Sequence, residues 1–513
     1  MRGCVRFRGT TLHFVKGVKM KKYILKRLLK SIVSILVVLA VVVVMVFTMI
    51  PRDNVFGKDS AVSKLSGNQR RVYKLQILSD LGYLSFYDNT QLCEAKSKNP
   101  EACLEKGSAE SKKAQEAMKK DGYTIEELTD EDPLQGQIIA FRDYSRTELI
   151  LRYFGNIINV DKKTKVVDPS NPDLERKYYF AGDNDGNWGL MCSGCENKYQ
   201  LYFNGKFPFI HQNKISLNFG KSYPTFAGVK TMDVISAPQG SLVQREQVFP
   251  SGKSFKSPIK QETCKYKANL DPLDKRRFTD NYAACDQDLS SPSMIQTSYI
   301  FGVLSLILAY AVAIPSGISM ARNKGKLNDK IGIIYINLLI AIPSLAFIFL
   351  MKYFGFKLGF PDKFPQLGFN NIKSYVMPII ILGLLSTPGL MMWLRRYMID
   401  QSNADYVKFA KAKGLSQKEI FNNHILKNAI IPIVNGIPAS IILAISGALI
   451  TETVFSIPGM GKMLPDAINV ANNNMIITIT FILTTLSILS VLLGDILMTV
   501  VDPRISLDTR KGE

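Results

Sequence analysis

Six cysteines lie between Pro51 and Ser293: Cys93, Cys103, Cys192, Cys195, Cys264 and Cys285. The tightest spacing is Cys192-Ser193-Gly194-Cys195, a C-x-x-C that suits thiol exchange, half of a zinc site or a structural disulfide. A zinc site of the usual kind needs four Cys or His ligands. The segment has no second C-x-x-C, and His211 is its only histidine. A thioredoxin-like motif would sit beside a βαβ pattern, and none surrounds Cys192. An even number of cysteines outside the cytoplasm reads as a disulfide framework, with 15 connectivities possible for six. Proximity along the chain favours Cys93–Cys103, Cys192–Cys195 and Cys264–Cys285. A redox pair, a metal half-site and reduced thiols stay open as alternatives.

Phosphate-binding chemistry is suggested twice and fails twice. Gly220-Lys221-Ser222 and Gly252-Lys253-Ser254 resemble the end of a phosphate loop. Ile215 and Gln247 stand where its first glycine would be. H-E-x-x-H, G-x-S-x-G and a dinucleotide fingerprint are also missing. With three histidines in all (His13, His211 and His424), histidine-based catalysis is not expected. The expectation is a non-enzyme with no catalytic residue, metal or cofactor of its own.

The elements that would carry such residues are mostly membrane spans. A spanning helix needs about 20 mainly apolar residues. Six stretches qualify: 31–50, 294–320, 331–354, 375–394, 429–450 and 475–500. Pro315, Pro343 and Pro388 fall inside them, which spans tolerate when neighbours re-satisfy the freed backbone groups. Between the first two lies a segment, 51–293, large enough for a folded domain. Glu110–Lys120 reads as an exposed helix, and 200–203 and 214–218 as strands, so an α+β fold is expected. The whole chain carries a formal charge of +21, yet 51–293 holds 35 basic and 32 acidic residues. The basic excess therefore flanks apolar segments, as topogenic charge does. Nucleic-acid binding would need it on a soluble face.

Short loops set the orientation. Ten Lys/Arg and no acid precede the first span. Arg322, Lys324, Lys326 and Lys330 follow the second, and Arg395, Arg396, Lys408, Lys411, Lys413, Lys418 and Lys427 follow the fourth. Arg504, Arg510 and Lys511 follow the sixth. One side collects all four groups if both termini are cytoplasmic, although Lys352, Lys357, Lys363 and Lys373 lie opposite. The first span reads as an uncleaved anchor, because its apolar run is long and no A-x-A-like site follows it. Met20-Lys21-Lys22 resembles a start, which would make 1–19 an upstream extension.

The connector Asp405–Pro432 is basic, rich in small residues and broken at Gly414. Asn403 is a candidate cap for a short helix over 405–413. Gly414 supplies the positive φ that ends it. Ser416 and Glu419 have capping-box spacing for a second helix. On composition alone, a docking elbow and a lipid-bound interfacial helix are equal readings.

This stretch resembles the EAA loop of ABC-importer permeases, in its dipeptide/oligopeptide branch. The matching residues are Asp405-Tyr406-Val407, Ala410-Lys411-Ala412-Lys413-Gly414-Leu415, His424-Ile425-Leu426 and the run Lys427 to Pro432. Val407, Lys408 and Phe409 replace the usual opening, so the register rests on Ala410, Ala412, Gly414 and Pro432. Residues 451–464, TETVFSIPGMGKML, resemble the branch's E-x-V-F-x-x-P-G-x-G segment. Residues 495–505, DILMTVVDPRI, resemble its C-terminal motif, with Met498 in place of Tyr. The resemblance covers 294–505 and the first span, and points to a B-type subunit of the Gram-positive kind with a large extracellular insertion.

The resemblance implies an α-helical polytopic membrane protein of the type I ABC importer permease fold. It would have six transmembrane helices and an extracytoplasmic α+β domain inserted between helices 1 and 2. The parts would be a basic cytoplasmic N-terminus 1–30, a first span 31–50, an extracellular domain 51–293, a permease core 294–500 with its coupling loop 403–432, and a cytoplasmic tail 501–513. Implied partners are a C-type permease subunit, two ATPase subunits that bind ATP-Mg, an extracellular peptide-binding lipoprotein, the peptide substrate and the lipid bilayer of a bacterial cell membrane, with no nucleic acid. Asp405, Tyr406, Ala410, Lys411, Ala412, Lys413, Gly414, Leu415, His424 and Pro432 would couple to the ATPase. Ala410, Ala412, Gly414 and Leu415 would form the docking surface. Glu452, Pro458, Gly459 and Gly461 are outer-gate candidates. Asn337, Ser344 and Ser446 are pore-lining candidates, with helix–helix hydrogen bonding as the alternative. Asp495, inside the last apolar run, is a functional candidate as any intramembrane carboxylate is, but its place near the cytoplasmic end favours a structural role. A permease for nickel or another small solute is the alternative within transport; a membrane-anchored extracellular receptor or sensor is the alternative outside it.

Overall fold

The computed structural model describes residues 9–501, apart from 106, 184–185, 206–208 and 448. The chain forms two compact units. One comprises residues 1–42, 294–466 and 479–513; the other comprises 43–293 and 467–478.

The first unit is helical. Its longer helices are α1 (Gly9–Met49), α2 (Met294–Arg322), α3 (Leu327–Ala341), α4 (Ser344–Lys357), α5 (Lys373–Ser402), α6 (Asp405–Ala412), α7 (Ile431–Gly447), α8 (Leu449–Phe455), α9 (Met460–Asn469) and α10 (Asn473–Val501). The ends of α1, α9 and α10 extend into the second unit. Among the described residues, four helices are long and apolar enough to cross a membrane, or up to six if each of two bent pairs is one span.

The third expected span is therefore not one straight helix. α3 and α4 meet at 105°. Pro343 explains the break: it cannot donate to the helix ladder and forces Ile342 into extended backbone, at φ −76° and ψ 127°. The fifth is bent by 43° where Gln417–Ala429 meets Ile431–Ile442. Small residues let α2 and α5 approach. A Cβ on Gly383 would lie 3.1 Å from the Ser305 carbonyl oxygen and 2.9 Å from Leu308. Without water to drive association, such close backbone contact is how spanning helices gain packing energy. Asp495 is paired with the Arg27 guanidinium.

The second unit is α+β. A three-stranded antiparallel sheet in the order β1 (Leu84–Tyr87), β3 (Ile138–Asp143), β2 (Thr124–Glu127) packs with helices over a core that includes Phe56, Leu78, Leu84, Phe86 and Ile139. The expected helix is present as Ala109–Lys120. β4 (Ile158–Val160) pairs with β9 (Ile215–Leu217). β5 (Tyr178–Gly182), β6 (Trp188–Cys192), β7 (Tyr199–Phe203) and β8 (Ile210–Gln212) form an antiparallel four-stranded sheet in chain order. Disulfides join Cys93 to Cys103, Cys192 to Cys195 and Cys264 to Cys285. Cys192 and Cys195 are fully buried, so the C-x-x-C closes the β6–β7 turn and presents no accessible sulfur for exchange.

The 467–478 segment is held in this unit by buried polar pairs. Asn472 Nδ2 donates to Ser222 Oγ (2.8 Å) and Thr225 Oγ1 (3.1 Å). Asn473 Nδ2 donates to Tyr83 Oη (2.5 Å) and Asn474 Nδ2 to the Lys221 carbonyl (2.9 Å). Thr478 Oγ1 donates to Thr231 Oγ1 at 2.7 Å. Burial pushes the Tyr83 phenol up to about 12, so it stays protonated at neutral pH.

Candidate functional site

The elbow grows out of α5. Asn403 does not cap the following helix as its sequence suggests. α5 runs to Ser402, and the Asn403 N–H still bonds back to Asp400 at 3.2 Å. α6 restarts at Asp405 behind Ala404. Its end is a Schellman motif: Gly414 N donates to the Lys411 carbonyl (2.9 Å) and Leu415 N to that of Ala410 (3.3 Å). Gly414 has φ +77°, a conformation glycine adopts without strain. Ser416 and Glu419 form the expected capping box. A π-helical stretch, Ile420–Ile425, then leads towards α7, and Pro432 is exposed at the second position of that helix.

One face of the elbow is fixed. Val407 and Ala410, three apart, are buried in a cluster with Leu394, Met398, Ile420 and Ile425. Arg322 at the end of α2 lies over the Phe421 ring at 4.9 Å and reaches Asn422 Oδ1 at 3.4 Å. The Ala410 side chain is thus part of the elbow's own seat and not of an outward surface. The outward surface presents Phe409, which is 72% exposed, beside exposed Lys411, Ala412, Lys413 and Leu415. Asp405 is exposed and paired with Lys408, whereas Tyr406 and His424 are half-buried. Sequence reasoning missed Phe409. The signal was helical phase: with Val407 and Ala410 inward, position 409 must point away.

The second constellation surrounds Glu452. Its side chain is fully buried. Ser298 Oγ donates to Oε1 (2.6 Å), the Lys462 N–H donates to Oε2 (3.0 Å), and the Met460 N–H donates to Ser298 Oγ (2.8 Å). The carboxylate therefore seats the first turn of α9, where free N–H groups and the helix dipole favour negative charge. Gly459 is required by space: a Cβ there would lie 2.3 Å from the carboxyl carbon. Pro458 precedes it and Gly461 lies inside the seated turn. Lys352 Nζ donates to the Val454 carbonyl at 2.8 Å, tying α4 to the end of α8. Glu452→Ala leaves the Ser298 hydroxyl and the Lys462 N–H without this partner, costing roughly 2 kcal/mol. Amide exchange at 460–462 is expected to speed up about 30-fold by the same figure. Unchanged exchange rates would show that the carboxylate does not hold this turn.

A family model described as "Binding-protein-dependent transport system inner membrane component" matches residues 313–507. That range contains the elbow and Glu452 with its 458–462 turn, while Ser298 lies before it. The oligopeptide transport system permease protein AmiC of Streptococcus pneumoniae is 41% identical over 502 residues, covering 96% of this chain and 100% of that protein. The chain belongs to this family of permeases. The dipeptide transport system permease protein DppB of Lactococcus lactis is 32% identical over 214 residues, 42% of the permease and 70% of DppB. A solved inward-facing MetNI methionine ABC transporter matches 41% of the permease and 94% of its own chain, at 14% identity and a TM-score of 0.33.

Two further features of the permease bear on its site, and of their residues only Ser344 was a candidate from sequence. Arg395 grips Asp329 with two hydrogen bonds, Nε to Oδ1 (2.6 Å) and Nη2 to Oδ2 (2.9 Å), which locks the start of α3 to α5. A cavity of about 460 Å³ is lined by Ser305, Ser344, Ile348, Ser386, Ser440 and Thr451, among others. Several of its hydroxyls bond back to their own helices, such as Ser386 to the Leu382 carbonyl at 3.0 Å. Its wall therefore offers mainly apolar surface. Ser344 lies on it; Asn337 lines a separate cavity with Arg395, Arg396 and Asp400. Ser446 lies outside the residues whose side chains are described.

Proposed function

We propose that this permease is one of two pore-forming subunits of an ATP-driven oligopeptide importer, coupled through residues 405–432 to a separate ATPase. The observation that carries the reading is the two-sided elbow. Its inner face is packed against the ends of α2 and α5, and its outer face presents Phe409 and Leu415 among lysines. A rigid arm with an unburied aromatic anchor suits transmission of force from a partner. The spans then rock between outward- and inward-open states, as domain closures do. ATP-Mg would bind the ATPase subunits and not this chain.

The supporting topology is a multi-pass protein with both termini cytoplasmic, six spans (two of them bent) and 51–293 outside. Loop charge supports that orientation, and three disulfides in the inserted segment suit an oxidising side. A C-type permease would supply the other half of the pore and a peptide-binding lipoprotein would deliver cargo. The cavity bordered by Ser344 and Thr451 is the proposed peptide path, and the loop around Glu452, Pro458, Gly459 and Gly461 its outer gate.

Gly414→Asp tests the coupling cleanly. Nothing lies within 4 Å of a Cβ at that position, and Asp tolerates its positive φ better than most residues. The complex should assemble in the membrane while ATP-dependent peptide uptake falls below a tenth of the unmodified rate. Uptake at the unmodified rate, with the ATPase still copurifying, would refute the coupling role.

A further inference from the structure

The four-stranded sheet β5–β8 is apolar on both faces. Tyr179, Ala181, Met191, Tyr199 and Tyr202 pack together on one. The other presents Tyr178, Phe180, Trp188, Leu201, Phe203 and Ile210, each 38–67% exposed. Strand register confirms that these share a face: Trp188 pairs with Phe203, which pairs with Ile210, and Phe180 pairs across Leu190 with Leu201. The rings form a ladder, with Phe180 and Trp188 at 5.6 Å and 24°, and Trp188 and Phe203 at 6.4 Å and 29°. An antiparallel sheet that keeps one face in water normally alternates apolar and polar residues. This one does not. The exposed apolar area is on the order of 600 Å², at the top of the range for a soluble monomer's largest patch. It approaches the roughly 800 Å² that one partner contributes to a standard protein interface.

The rim at one end is basic. Arg176 donates to the carbonyl of Lys163 (3.0 Å), which brings the 162–165 lysine cluster beside the start of β5. Lys214 Nζ sits 4.3 Å from the centre of the Tyr178 ring. Of the two acids in the segment leading into β5, Asp173 and Glu175, the second is paired with Lys177.

We propose that this face is the landing surface for the substrate-binding lipoprotein of the transport system, whose own contact surface would have an apolar centre and an acidic rim. The proposal rests on the importer reading and goes beyond it by naming the surface. The family's dependence on a binding protein supplies the kind of partner. The aromatic centre supplies affinity, and the lysine rim supplies steering and orientation.

The test uses the complete transporter in nanodiscs of neutral lipid and the purified, anchor-free binding protein of the same system. Trp188→Ala/Phe203→Ser should weaken binding at least tenfold, with basal ATP hydrolysis and the melting temperature unchanged. Lys163→Glu/Lys214→Glu should slow association and flatten its dependence on salt. If the first variant melts early, Phe180→Gln, at the most exposed ring, should still weaken binding several-fold. Unmodified affinity in all three variants overturns the landing surface while leaving the importer reading intact. A failure of the unmodified transporter to bind the protein at all overturns the importer reading itself. Loss of anionic-vesicle binding in the first variant, with binding-protein affinity unchanged, reassigns the face to lipid and overturns the proposal.

Discussion

Replacing Phe409 by aspartate is expected to release the ATPase from the purified complex and to abolish ATP-dependent peptide uptake. Phe409 is 72% exposed on α6, whose opposite face is pinned by Val407 and Ala410. A large apolar ring held in water by a rigid seat is the kind of residue that anchors an interface, and losing one removes 2 kcal/mol or more of binding, about 30-fold. A carboxylate in its place adds a desolvation penalty. Because the ring packs outward, the chain's own fold should be undisturbed. Equal ATPase recovery with the aspartate variant would remove Phe409 from the interface. Ala410→Asp provides the contrast: it should disrupt the elbow's seat and lower the yield of folded permease.

Asp329→Ala carries the second large effect. The Asp329 side chain is 2% exposed and holds Arg395 through two charge-assisted bonds. It also accepts the Gly325 N–H at 2.8 Å, closing the turn between α2 and α3. Removing the acid strands a guanidinium that is only 25% exposed. Breaking a buried pair from one side costs about 3 kcal/mol or more. The permease should unfold at markedly lower denaturant, and the double variant Asp329→Ala/Arg395→Met should recover part of the loss, because neither charge is then left alone. A single variant as stable as the unmodified chain would show that the pair is solvated and weak.

These two residues mark the boundary of what the sequence reveals. Gly414 and the Ser416–Glu419 box were legible because caps act over three or four residues, where spacing alone fixes geometry. Apolar runs were legible from composition alone, but among the described residues four form single long helices and two are bent pairs, a break that tertiary packing decides. The Asn403 cap was misread because a helix's end depends on packing farther along it, and α5 runs on. Ala410 was misread because a short side chain suits both a docking surface and a buried seat, and only tertiary packing distinguishes them. Arg395 was counted as loop charge, since its partner lies 66 residues away. Asn472, Asn473 and Asn474 stood in plain view as a polar run before an apolar one, but their partners Ser222, Tyr83 and Lys221 are some 250 to 390 residues distant. Local chemistry is written in the sequence; buried polar pairing across the fold is not.

The central claim is that the outer face of the 405–432 elbow seats in an ATPase subunit. The direct measurement is site-specific photocrosslinking in intact membranes, with a photoreactive side chain at the exposed position Lys411 and a control at Phe349, exposed on α4. The account predicts an ATP-sensitive crosslink from 411 to the ATPase subunit and none from 349. Crosslinks from 411 to lipid alone, in cells that import peptide normally, would contradict it.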